Sequence, residues 1–144
     1  MTRSIEFYLV LLGFPINFLW EMLQMPLFVF PENMPLLVSS LICLQATAGD
    51  AIILLLMYWM LVLSTKSRRW IYDLNPLRVT GFLALGIILT IIIEAASTSF
   101  LDRWTYGELM PTLPVLGTGL APVLQWLIIP LLVLVLLRRR KDLL

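Results

Sequence analysis

Histidine is absent from this sequence of 144 residues, and cysteine occurs once, at Cys43. Without imidazole the common ligands for zinc and haem and the usual neutral-pH base are missing. A single thiol excludes an internal disulfide and a thiolate metal cluster, and Cys43 reads as packing against lipid or core. Charge is scarce as well: 13 % of residues are charged and 60 % are hydrophobic. Soluble domains use roughly 45–50 % apolar and about 25 % charged residues. With a mean hydropathy of +0.96, a soluble core of this size has no means of hiding so much apolar surface. No internal repeat is apparent. Met-Pro recurs at Met25-Pro26, Met34-Pro35 and Met110-Pro111, but the flanking residues differ, so these pairs read as separate helix ends or kinks.

What is present is four long apolar runs, over 7–30, 44–64, 79–101 and 113–137. Each is long enough to cross a hydrocarbon layer of about 30 Å as a helix of about 20 residues. The runs predict an all-α membrane protein, a single domain over 1–144 built as a bundle of four transmembrane helices. The stretch PLLVSSLICLQ at 35–45 is apolar too, and reads as re-entrant, interfacial, or an extension of the second span broken near Gly49. A glutamate inside the first run, and no A-x-A-like site before Pro31, argue against a cleaved signal peptide.

The basic residues set an expected orientation. Arg3, Lys66, Arg68, Arg69, Arg78, Arg138, Arg139, Arg140 and Lys141 fall on one side of the four runs, and Arg103 alone falls on the other. The positive-inside rule then places both termini in the cytoplasm of a multi-pass protein of the cell (inner) membrane. The RRRK run at 138–141 reads as a topological signal touching lipid headgroups, so no nucleic-acid partner is expected. Trp70, Tyr72, Trp104 and Tyr106 flank the runs and fit an interfacial aromatic belt. Gly117 with Ala121, and Ala95 with Ser99, place small residues four apart on the fourth and third helices, a spacing that permits close helix contact.

Polar residues interrupt the apolar runs at telling positions. In INFLWEMLQMPLF, Asn17, Glu21 and Gln24 are spaced to share one helical face, which must meet protein or water rather than lipid. Asp50 lies in the second run and Glu94 in the third, with Thr90, Ser97 and Thr98 on the same side as Glu94. At the helical rise, Glu21 and Glu94 stand roughly 23 Å from the cytoplasmic ends, and Asp50 roughly 9 Å from the external end. Each ionisable side chain in a span costs at least about 2.5–3.5 kcal/mol on insertion scales. Three acids at one level therefore predict a convergent site near the external leaflet. Arg103, just above, is expected to descend onto a carboxylate. Gln125 and Trp126, in the middle of the fourth run, are expected as the floor, with Pro122 and Pro130 freeing carbonyls or bending that helix. Asn17, Gln24 and Gln125 suit either interhelical hydrogen bonds or ligand contacts. Asp50 suits a chemical role or the cap of a broken helix.

This inventory favours acid chemistry on a lipid-soluble molecule: Glu21 as proton donor, Glu94 and Asp50 assisting, and Trp20, Phe18, Trp104, Tyr106 and Trp126 as aromatic lining. No metal or cofactor is expected, because no loop gathers the oxygens a hard cation needs. The alternative is a non-enzymatic subunit of a larger membrane complex. Proton- or cation-coupled transport is third and requires a homo-oligomer, since paired broken helices are lacking.

The NFLWE stretch at 17–21 resembles the N-x-x-W-E stretch of membrane-embedded terpene cyclases, a likeness that implies a proton-donor role for Glu21 alone. RWTYGELMPTLP at 103–114 is similar to the W-x-Y loops of small membrane carotenoid cyclases, whose paired glutamates after the proline have no counterpart here. The combination of N-x-x-W-E-x-x-Q-x-P, G-D, R-W-x-Y and M-P-x-x-P resembles small bacterial four-span membrane proteins. That likeness implies a fold and no activity.

Overall fold

The computed structural model describes residues 4–139, so Arg3, Arg140 and Lys141 lie outside the described residues. Among these residues there are four long helices and no strand: α1 (Ile5–Gln24), α2 (Leu36–Thr65), α3 (Pro76–Ser99) and α4 (Leu120–Arg139). All four are long and apolar enough to cross a membrane. They pack in a ring, α1 on α2, α2 on α3, α3 on α4 and α4 back on α1.

Local chemistry sets the helix ends. Ser4 caps α1, its Oγ accepting the Phe7 N–H at 3.3 Å, and the Asn75 side chain caps α3 by accepting the Arg78 N–H at 2.9 Å ahead of Pro76. Pro26 has no N–H with which to continue α1, and the chain tightens into a 3-10 turn, Met25–Leu27. Pro35 occupies the N-cap of α2, while Lys66, in the left-handed region at φ 53°, ends it.

Three boundaries depart from expectation. α1 ends at Gln24, with Met25–Leu27 as its 3-10 turn, short of the expected 30. α2 runs unbroken for 30 residues through Gly49, so 35–45 is neither re-entrant nor separate, and Asp50 sits mid-helix without a cap to make. α4 begins at Leu120, seven residues later than expected, because 113–119 folds into a turn with Val115 and Gly117 at positive φ. Gly117 therefore lies outside α4 and does not pair with Ala121 on that helix. Pro122 falls in the first turn, where a missing N–H costs nothing. Pro130 is interior to α4 and Pro15 to α1. Ala95 and Ser99 face outward. The buried face of α3 carries Phe82, Gly86, Thr90, Glu94 and Ser97.

The core occupies one half of the bundle. Leu9, Leu54, Met57, Tyr58, Phe82, Ile129, Val133 and Leu134 interlock there. Trp70 plugs the end of this half, stacked on Tyr58 at 6.1 Å and tilted on Phe82 at 5.2 Å. It is fully buried and thus not part of a lipid-facing belt, and Tyr72 tucks its hydroxyl out of solvent beside it. Arg68 binds Glu6 at 2.5 Å and ties the α2–α3 connection to the start of α1. Lys66, Arg68, Arg69, Arg78, Arg138 and Arg139 all gather at this basic end. Close approach needs glycine: a methyl on Gly13 would stand 2.6 Å from Leu54 Cδ2, and one on Gly86 would stand 2.9 Å from Met57 Cε.

Candidate functional site

The other half of the bundle holds a cavity of about 610 Å³, walled by the end of α1, the first half of α2, the end of α3, the loop after it and the start of α4. Glu21, Asp50 and Glu94 all line it, from three different helices. Trp126, nearly fully buried, lies at the junction of cavity and core, packed over Gly86. The remaining wall is largely apolar, including Phe28, Phe30, Ile53 and Leu56.

A hydrogen-bond network crosses behind the cavity. Gln125 Nε2 donates to Asn17 Oδ1 and to Asp50 Oδ2, both at 2.9 Å. Gln24 Nε2 donates to Glu21 Oε1 at 2.9 Å and, more weakly, to Gln125 Oε1 at 3.4 Å. Trp20 Nε1 donates to Gln24 Oε1 at 3.1 Å, and Asn17 Nδ2 to the Gly13 carbonyl at 3.0 Å. Amide groups thus join α1, α2 and α4. Gln125 stands in the second turn of α4 rather than mid-span, which is what brings it level with Asp50 and Asn17.

Glu94 is held differently. Its Oε2 accepts from Tyr106 OH and from Trp104 Nε1, the latter at 3.3 Å. The loop from 100 to 119 is folded inward to make this possible. Arg103 N bonds to Ser97 O at 2.9 Å, and Gly107 N to Leu27 O at 2.8 Å. Phe28 and Tyr106 meet in an isolated bridge. A methyl on Gly119 would press the Tyr106 ring at 3.0 Å. Burial first, and then the bond to Glu94, raise the Tyr106 phenol above its ordinary value, so it stays a donor at neutral pH.

Several expected roles change on this geometry. Trp104 and Tyr106 turn toward Glu94 instead of forming a belt. Arg103 makes no ion pair among the described residues. Its guanidinium lies 5.4 Å over the Trp104 ring, at the exposed rim of the cavity. Asn17, Phe18, Trp20 and Tyr106 do not line the cavity: Asn17, Trp20 and Tyr106 support residues that do, and Phe18 does not reach it. Gln24, Trp104, Gln125 and Trp126 do line it. Cys43 is buried as expected, but in the cavity wall. Sequence reasoning passed over Ala46 and Ile53 and gave Cys43 a packing role alone. The signal was their helical spacing with Asp50, which puts all four on one face of α2. Met25, Phe28 and Phe30 carry no such signal, because the turn after α1 aims them.

Among the described residues no three His, Cys, Asp or Glu side chains come close enough to hold one metal ion. The chain is a bundle of four membrane-span-like helices around a half-length cavity lined by three carboxyl groups. Comparison with family models, with curated proteins and with solved structures finds no match.

Proposed function

We propose that the chain crosses the cell (inner) membrane four times, with both termini cytoplasmic, and that its cavity takes a lipid or isoprenoid from the external leaflet and transforms it by general-acid chemistry. Insertion is supported by the outer surface. Leu11, Leu19, Leu23, Leu63, Ile92 and many like them are exposed around the helices, an apolar expanse that water does not tolerate on a soluble monomer. Orientation is supported by the basic end.

The observation that carries the ligand reading is the meeting of Glu21, Asp50 and Glu94 in one largely apolar cavity, bonded to neutral donors. The volume is in the range of ligand pockets, about 300–1,000 Å³. A neutral carboxyl at Glu21 donates its proton to an alkene or epoxide, and the developing cation faces Trp104 and Trp126. Glu94 and Asp50 orient or assist. A subunit that used its polar stripe to bind a partner would expose it. Asn17 and Gln24 are instead buried against α4, which favours the ligand reading.

The test is native mass spectrometry of protein purified in mild detergent, comparing wild type with Glu21→Gln and Glu94→Gln. A discrete lipid or isoprenoid adduct that fades in the variants is expected. Equal or absent adducts, with another polypeptide co-purifying, would replace the enzyme by a subunit.

A further inference from the structure

The polar groups that reach the cavity are unequal in kind. Each carboxyl spends one oxygen on protein donors: Glu21 Oε1 on Gln24, Asp50 Oδ2 on Gln125, Glu94 Oε2 on Trp104 and Tyr106. Among the described residues the second oxygens of Asp50 (Oδ1) and Glu94 (Oε1) accept no hydrogen bond, while Glu21 has Gln125 beside it as a further partner. These two oxygens are also not among the side-chain atoms sealed without a partner, which in the described residues are Glu6 Oε2, Trp70 Nε1, Tyr72 OH and Thr118 Oγ1. Both atoms are accessible and belong to residues that line the cavity. Asp50 and Glu94 do so as residues only 9 % and 8 % exposed.

The donors nearby are spent. Both N–H groups of Gln125 are used on Asn17 and Asp50, both of Gln24 on Glu21 and Gln125, and the Thr90 hydroxyl on the Gly86 carbonyl. What is left is the Trp126 indole N–H and the weak Cys43 thiol, with Arg103 and Gln45 exposed at the rim. Once a carboxyl has given up its proton, this surface has carboxylate acceptors in excess of its buried donors, which complements a group with donors and no acceptors, and an ammonium is that group. Charge points the same way, since three carboxyls line the cavity and no ion pair among the described residues engages any of them.

Resting on the reading of this cavity as a ligand site, we infer that its ligand class is the hydrophobic amine, held as an ammonium among Asp50, Glu21 and Glu94 with its apolar body along Ile53 and Leu56. An amine arriving neutral from the lipid takes the proton of a carboxyl, so ammonium and carboxylate form together inside the cavity. Trp104 and Trp126 add aromatic faces suited to the same charge.

Three probes with one tail and different heads test this: decylammonium, decanol and decanoate, added in turn to the full chain in mild non-ionic detergent and read by native mass spectrometry. The decylammonium adduct is expected to dominate, and to weaken about tenfold or more in Asp50→Asn and Glu94→Gln, because charge-assisted hydrogen bonds are lost. Equal adducts from the three probes overturn the ammonium inference and leave the cavity as an apolar ligand site. A preference for decanoate overturns it and moves recognition to Arg103. No adduct from any probe on folded wild type overturns both readings. The wild-type comparison decides even where a variant fails to fold.

Discussion

At the scale of the residue, Gln125 is the hub of the site. One side chain joins α4 to α1 through Asn17 and to α2 through Asp50, while its carbonyl receives Gln24. Gln125→Leu keeps the size and removes every bond, leaving Asp50 Oδ2, Asn17 Oδ1 and one Gln24 N–H unmatched. Buried unsatisfied groups cost about 1–3 kcal/mol each, whereas interhelical hydrogen bonds in membranes average about 0.6 kcal/mol. A net loss of about 2 kcal/mol is expected between these limits, read as a lower midpoint in thermal unfolding of the detergent-solubilised chain. An unchanged midpoint would mean that the network does not hold the helices. The α1 half of this network was legible in the sequence, because the spacing of Asn17, Glu21 and Gln24 forces them onto one face. The α4 half was not, since Gln125 lies 108 residues from Asn17 and nothing in its surroundings names its partners. Trp104 and Tyr106 stayed open between belt and site for a related reason: an aromatic near a span end has the same sequence signature whether it faces lipid or turns inward.

At the scale of the element, the number of helices was legible and their ends were not. Hydropathy cannot separate the apolar turn at 113–119 from the helix that follows, and what separates them is the left-handed backbone at Val115 and Gly117. It likewise cannot say whether 35–45 joins α2, since both stretches are equally apolar and Gly49 interrupts nothing. Packing between elements gives a sharper prediction. Gly13→Ala gains helix propensity of up to about 1 kcal/mol, but its methyl enters the space of the fully buried Leu54, and overpacking typically costs about 1–3 kcal/mol. Gly81→Ala makes the same propensity gain at a position where a methyl meets nothing within 4 Å. The two substitutions are expected to move the unfolding midpoint in opposite directions, Gly13→Ala down and Gly81→Ala up, measured side by side in the same detergent. A rise in both would show that the α1–α2 contact yields without cost.

At the scale of the whole molecule, core and cavity divide the bundle along its length, so the basic end is also the densely packed end. If both termini are cytoplasmic, the cavity opens toward the outside. Single-cysteine variants built on Cys43→Ser check this: Glu108→Cys is expected to react with a membrane-impermeant maleimide in intact cells, and Ser67→Cys only after permeabilisation. The reverse pattern would invert the assignment. The length of α2 has a further consequence. A helix of 30 residues is about 45 Å long, well beyond a hydrocarbon layer of about 30 Å, and Leu36, Leu37, Val38 and Leu41 in its first turns are exposed. A bilayer answers such a mismatch by letting the helix lean or by thickening beside it. If the helices span a bilayer as proposed, either response keeps the start of α2 among acyl chains, so that a molecule bound for the cavity would meet its rim from within oil rather than across a water layer.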